Sequence, residues 1–329
     1  MSQRIPTGKL PSALLEELLE GAGPLPAEVR LGPAVGEDAC AIDLPAGTLV
    51  AATDPITLTG DSVGAHAVVI NANDVAVMGV RPRWFLAAVL LPEGTTEDDV
   101  RALFRAMHAA VERAEVALVG GHTEVTAAVR QPVVVGQMLG FAEDGRVIPT
   151  GGVRPGDLIV QAGPAPVEGA AVLANAARER LGALPPRIRA RAARGLEDPG
   201  ISVVRAALLA ARLGARAMHD PTEGGLAAGL AELAAASGVA LTVDDDAVLW
   251  FEPGLAVCEA LGADPWGTLA SGALLAAFPP ERAESARNEL EQADIPARII
   301  ATAREGHGVT LSDGRPLEPP PRDEVARLL

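Results

Sequence analysis

The chain has 329 residues, 49% of them hydrophobic and 21% charged, and its formal net charge is −16. That length and composition suit a globular protein with a substantial core and room for two domains, and exclude a disordered chain. The acid excess, with no basic run to offset it, argues against a general nucleic-acid or anionic-membrane binder. Nucleotides stay open, because aspartates recruit Mg²⁺ to carry phosphate charge.

Lys9 is the only lysine, Tyr is absent, and Cys40 and Cys258 are the only cysteines. Lysine-based phosphate binding and base stacking are therefore poorly served. Two cysteines so far apart read as buried thiols and not as a disulfide or metal pair. No signal peptide or apolar run of about 18 residues is visible, so a cytoplasmic protein is expected.

In chain order, a short amphipathic helix is expected at 13–19, among Pro6, Pro11, Pro24 and Pro26. The Gly8-Lys9 pair lacks the strand and spacing of a phosphate-binding loop. A glycine-bearing turn at 32–39 leads into a strand, and a second strand at 48–53 ends at Asp54-Pro55. The stretch 66–82 starts as an apolar helix yet carries Asn71, Asn73 and Asp74. Asn and Asp are mediocre helix formers, and Asn71, Asp74 and Met78 share one face by their spacing of three and four. Gly79 offers a C′ position and Pro82 prevents continuation. A buried strand follows at 84–91.

Residues 95–115 carry the clearest helical period, in Val100, Leu103, Phe104, Met107 and Val111, with Glu97, Asp98 and Asp99 suiting the N-terminal dipole. A strand at 116–119 runs into Gly120-Gly-His-Thr-Glu124, and another spans 133–141. The Gly- and Pro-rich stretch 149–157 is the best domain boundary. Beyond it, strands are expected at 158–162, 239–243, 269–278 and 297–301, and helices at 168–181 and 202–213. Residues 184–195 read as an Arg- and Pro-rich surface segment. Asp220-Pro-Thr-Glu-Gly-Gly225 opens a helix reaching about Ser237, with Asp220 or Thr222 as its cap. Such a glycine-bearing helix start also suits an anion. Residues 319–329 end in a short helical turn. The grouping of strands reads as α+β.

Acidic residues recur where elements end: Glu37-Asp38, Asp54, Asp74 and Glu124. A single such residue is usually a cap or turn residue. Four within one apolar domain, two of them beside glycine turns, point to a metal–phosphate site, since Mg²⁺ takes a few carboxylates plus waters and phosphates. Gly32, Gly36, Gly120 and Gly121 would let backbone approach phosphate closely. Ser-His-Asp, zinc and Gly-x-Gly-x-x-Gly dinucleotide patterns are not discernible.

Gly36-Glu-Asp-Ala39, Thr53-Asp-Pro55, Asn71-Ala-Asn-Asp-Val-Ala-Val-Met-Gly-Val-Arg-Pro82, Gly120-Gly-His-Thr-Glu124 and His219-Asp-Pro-Thr-Glu-Gly-Gly-Leu226 occur in the order expected of the AIR synthase (PurM-like) superfamily. Over roughly residues 30–280 the chain resembles the branch related to the hydrogenase maturation factor HypE. The resemblance implies an α+β / α/β, two-domain fold. Residues 1–153 would form an N-terminal domain building a dimeric β-barrel with a second copy, and 154–329 a C-terminal α/β domain. It implies ATP and Mg²⁺ as cofactors, a homodimer, and phosphoryl transfer that activates an amide, carbonyl or phosphate oxygen of a small substrate. By position, Asp38, Asp54 and Asp74 resemble the Mg²⁺/phosphate carboxylates, with Asn71 and Asn73 orienting the site. Gly120, Gly121 and Thr123 would approach the nucleotide, and Asp220 and His122 are the catalytic candidates.

Three departures shape the expectation. The sequence ends Val325-Ala-Arg-Leu-Leu329, without the cysteine that carries the HypE substrate. His122 stands where relatives have Asp or Glu, leaving Glu124 as the substitute metal ligand. His219 and Glu223 replace arginines of the HypE pattern. A small-molecule kinase resembling thiamine-monophosphate kinase and a non-catalytic nucleotide-binding partner protein are the alternatives.

Overall fold

The computed structural model of the chain describes residues 29–31, 36, 40–44, 47–57 and 62–329. The expected helix at 13–19 and the candidate ligand Asp38 lie outside the described residues. The described residues fall into two compact units, one holding 29–31, 40–44, 47–57 and 62–147, the other holding Gly36 and 148–329.

In the first unit, β1 (Val29–Leu31), β2 (Cys40–Leu44), β3 (Gly47–Ile56), β4 (Pro82–Leu91), β5 (Ala117–Val125) and β6 (Val133–Ala142) form one sheet in the order β1-β2-β3-β6-β4-β5. All neighbours are antiparallel except β4 and β5. A parallel neighbour needs a crossover, which α2 (Glu97–Arg113) provides. Its Thr96 hydroxyl accepts from the Asp99 amide while the Asp99 carboxylate accepts from the Thr96 amide at 2.9 Å. The expected acidic first turn is thus a capping box.

The preceding helix, α1 (Val63–Val77), packs across β3 and β6 and against α2. A Cβ on Gly64 would stand 2.9 Å from the Leu103 carbonyl oxygen, so the two helices touch backbone to side there. Gly79, at φ +75°, follows the helix end and donates to the Ala76 carbonyl, as its C′ reading requires. α1 is buried on nearly every side, which puts Asn71, Asn73 and Asp74 inside the protein.

Two strands differ from expectation. β3 does not end before Asp54-Pro55 but runs through to Ile56. Among the described residues its pairing with β2 runs to Ala51, and on its other side Pro55 faces Val135 of β6. β4 alternates buried and half-buried residues and is not buried on both faces.

In the second unit, β7 (Leu158–Ala162), β8 (Ala217–His219), β9 (Ala240–Val243), β10 (Leu274–Phe278), β11 (Ala297–Arg304) and β12 (Gly308–Leu311) are ordered β12-β9-β11-β7-β10-β8. Every residue of β10 is buried, so both sheet faces are covered. The helices are α3 (Glu168–Ala176), α4 (Pro186–Ala193), α5 (Val204–Leu213), α6 (Gly225–Ser237), α7 (Glu252–Leu261), α8 (Pro280–Gln292) and α9 (Glu324–Leu328). α6 packs on β8, β9 and β12, and α8 on β7, β10 and β11. A second apolar cluster joins α3, α4 and α7 around Leu173, Leu181 and Val257.

The Arg-rich stretch 184–195 contains α4, a helix with only Ala192 buried, so it offers almost no apolar stripe to read. α7, α8 and β12 were also illegible as elements. Pro253 and Pro280 sit in the first turns of α7 and α8, and Gly262 closes α7, which is the signal available for them.

Candidate functional site

The register of the first sheet aligns motifs far apart in sequence. Asp54 on β3 faces Gly136 on β6, Gly136 faces Ala87 on β4, and Ala87 faces Gly121 on β5. One row across four strands therefore holds both the Thr53-Asp-Pro and Gly-Gly-His-Thr-Glu motifs. Three strand spacings separate its ends, roughly 14 Å.

At the Asp54 end, α1 supplies the connection. Asn71 Oδ1 accepts from the Asp54 amide at 2.8 Å, and its Nδ2 donates to the Ala67 carbonyl at 2.9 Å and the Asp54 carbonyl at 3.3 Å. Asn71 is fully buried, and this bidentate grip on β3 explains an amide inside an apolar helix. The grip needs space that only glycine leaves, since a Cβ on Gly136 would lie 2.3 Å from Asn71 Nδ2. Thr53 Oγ1 donates to the Gly136 carbonyl at 2.7 Å and closes the same junction. Asn73 is buried, and Asp74, one helical turn beyond Asn71, is 8% exposed.

At the other end, β5 is the sheet edge, and Gly120, Gly121, His122, Thr123 and Glu124 are all exposed. Gly121 is required by the fold: at φ +147° its added Cβ would stand 2.1 Å from the Ala87 carbonyl oxygen. Gly120 has no such reason, for its nearest neighbour would be Leu86 Cδ2 at 3.4 Å. An open pocket of about 460 Å³ borders this strand, lined by Ala87, Val89, Phe104 and Met107 and by β5 from Leu118 to Thr123. His122 Nε2 lies 3.5 Å from Glu124 Oε2, both side chains on the same side of the strand.

The row separates the carboxylates as well. Asp54 and Glu124 lie too far apart within one chain for a single ion with ligands at about 2.1 Å. Among the described residues no group of three or more His, Cys, Asp or Glu is gathered for a metal.

In the second unit, β8 delivers His219 and Asp220 into the interior, 2% and 1% exposed. His219 Nε2 shares a hydrogen bond of 2.9 Å with Glu232 Oε2 on α6. Gly229 lets α6 lie on this stretch, since a Cβ there would be 2.5 Å from Pro221 Cβ. Gly36, from the Gly-Glu-Asp motif, rests against the same helix, its added Cβ 3.5 Å from Glu232 Cβ and the Glu232 carbonyl oxygen. α6 thus touches Gly36 of one motif and Pro221 of the other.

Neither Asp220 nor Thr222 caps α6. Gly224 and Gly225, at φ +82° and +66°, swing the chain into the helix, and the cap residue is Gly224 itself. The Gly224 amide donates instead to Asp323 Oδ2 at 2.8 Å, a side chain 99 residues away. Gly136, Glu232 and Asp323 were missed from sequence. A glycine inside an apolar strand, as at Gly136, is the signal that could have found the first.

Comparison with known proteins agrees with this architecture. Carbamoyl dehydratase HypE from Azotobacter vinelandii is 35% identical over 258 residues, covering 75% of this chain and 72% of that protein. A crystal structure of the hydrogenase maturation protein HypE in complex with ATP superposes with a TM-score of 0.71 at 26% identity, covering 90% of this chain and 92% of that one. Thiamine monophosphate kinase from Aquifex aeolicus shares the fold, with a TM-score of 0.70 at 20% identity over 93% and 97% of the two chains. With the family models for the N- and C-terminal domains of AIR synthase related proteins matching residues 36–142 and 154–314, this two-domain α+β chain belongs to the AIR synthase related family.

Proposed function

We propose that this chain is a cytoplasmic, ATP- and Mg²⁺-dependent enzyme that activates an amide, carbonyl or phosphate oxygen of a small substrate by phosphoryl transfer. The observation that carries the reading is Gly120. It has no steric reason to be glycine within the chain, yet it lies on an exposed strand bordering an open pocket. Close approach of backbone to a phosphate gives it one. ATP supplies the phosphoryl group, and Mg²⁺ neutralises its phosphates.

The chain's own residues then divide the work. Gly120, Gly121 and Thr123 present the β5 backbone and a hydroxyl to the nucleotide. Asp74 and Asp54, with Asp38, are the carboxylates for the metal, an ion that keeps waters and phosphate oxygens among its ligands. Asn71 holds Asp54 in place through its backbone, and Asn73 orients the site with it. Glu124 belongs with His122, where the pair can hold or move a proton at the pocket edge. Asp220 is the carboxylate that orients the reacting group. The domains run 1–153 and 154–329.

The working form is a homodimer. β5 is a nine-residue edge strand without lysine or proline, and its Val119 and Val125 are 54% and 55% exposed. Stable folds cover such apolar side chains, and a second copy packed against Val119 and Val125 buries them.

Thermal unfolding with and without ATP, in Mg²⁺ and then in chelator, tests the reading. Nucleotide at about 100 times its dissociation constant stabilises the folded state by roughly 2.7 kcal/mol. A Mg²⁺-dependent rise in Tm followed by ADP release on a substrate screen is the expected result. A phosphorylated product that persists identifies a kinase. No shift at saturating ATP overturns the nucleotide site.

A further inference from the structure

Residues 319–329 form a strap over the 262–267 segment that reaches the turn carrying Asp220 at Gly224. Pro320 lies over Gly267, where an added Cβ would be 2.8 Å from the Pro320 Cγ. Asp323 is 8% exposed; its Oδ2 accepts from the Gly224 amide at 2.8 Å and its Oδ1 from the Val325 amide at 2.7 Å. Glu324 accepts from the Asp264 amide at 3.2 Å, and Arg327 donates to the Gly262 carbonyl at 2.7 Å. Val325 enters the apolar cluster beside Leu173 and Val257. Gly225 packs against the same segment, because a Cβ there would lie 2.3 Å from the Trp266 carbonyl oxygen.

We propose that this strap clamps the Asp220–Gly225 turn, that Asp323 is its positioning residue, and that the clamp loosens as pH rises from 5 to 7. The assignment to catalysis rests on the function proposed above; the clamp rests on its own hydrogen bonds and packing, and its pH response on the burial and charges around Asp323.

The charges facing Asp323 are of one sign. Glu223 approaches from the turn and Glu324 from its own helix, where Arg327 offsets the latter. Cys258 on α7 is a neutral thiol pushed up to about 11 by burial, and it too feels Asp264 and Glu324. Only the amides of Gly224 and Val325 favour the Asp323 carboxylate. Burial first, then Glu223 and Glu324, push the Asp323 carboxyl up to about 6 against those two hydrogen bonds. A group whose pKa is higher docked than undocked favours docking in acid. The docked-to-undocked ratio therefore falls about tenfold between pH 5 and pH 7. At neutral pH the strap holds a buried anion between two acids and is poised to open.

Residue-resolved amide exchange of Gly224 in the full chain tests this, after correction for the intrinsic pH dependence of exchange. In the wild-type protein, Gly224 protection should fall about tenfold from pH 5 to pH 7. In Asp323→Asn, which keeps the shape and removes the titration, it should stay level. Level protection in the wild type, or a variant that follows the wild type, overturns the clamp. If the variant does not fold, the wild-type profile decides alone. ATP turnover measured over the same range should lose its pH response near 6 in Asp323→Asn, and unchanged turnover profiles overturn the positioning role. Absence of turnover in both proteins overturns the proposed function instead, while exchange still decides the clamp.

Discussion

Gly136→Ala tests the junction between α1 and the sheet, and its cost can be worked from contacts. The new Cβ would lie 2.3 Å from Asn71 Nδ2, 2.7 Å from its Cγ and 2.9 Å from Phe85 Cε2. Overpacking of that kind costs about 1–3 kcal/mol. Asn71 moves and gives up its bonds to the Asp54 amide and carbonyl at about 1 kcal/mol each, while the overpacking against Phe85 stays. The single variant should lose roughly 3–5 kcal/mol. Asn71→Ala alone loses three hydrogen bonds, about 3 kcal/mol. In the double variant the new methyl meets only Phe85, so the losses should fall short of additivity by about 2 kcal/mol. Urea unfolding followed by circular dichroism and tryptophan fluorescence measures each corner of the cycle. Additivity within about 0.5 kcal/mol would refute the claim that Gly136 is there to admit Asn71.

Asp74→Asn should abolish Mg²⁺-dependent ATP binding in calorimetry while leaving the unfolding transition in place; unchanged affinity removes Asp74 from the metal site. His66 is 6% exposed, and burial pushes its imidazole down to about 4. Between pH 6.5 and 4 the unfolded chain takes up a proton that the folded one refuses, so this contribution is present above 6.5 and lost on acidification, about 3 kcal/mol in all. His66→Gln should flatten the pH dependence of the unfolding midpoint in that window, and an identical slope would show that His66 does not set it. Asp157, 1% exposed, pairs with Arg216 at 2.6 Å and accepts from the Arg154 amide. Asp157→Ala should cost about 3 kcal/mol in chemical unfolding, since it strands a half-buried guanidinium; a loss under 1 kcal/mol would mean solvent replaces the carboxylate.

Much of the chain was legible because local chemistry decided it. The 3.6-residue period and acidic first turn of α2, the Gly79 stop after α1 and the apolar run of β6 need no distant partner to be read. The ordered motifs identified the family for the same reason, since each is a short run whose residue types survive in order. What stayed hidden depended on residues far apart in sequence. α4 was illegible because its Arg-Ala repeat buries only Ala192, and its helix forms by packing against α3 and α7. Asn71 read as a ligand or a fortuitous polar residue, until register set Asp54 and Gly136 beside it. Sequence spacing grouped Glu124 with Asp54, whereas strand order places them at opposite ends of a row. Asp220 looked like a helix cap, yet two left-handed glycines and a carboxylate 99 residues away supply the start of α6. Sequence by itself determined the strongly patterned elements, the motifs and the chemistry on offer. Tertiary structure decided which of those groups meet, because strand register and burial are set by contacts that no local pattern encodes.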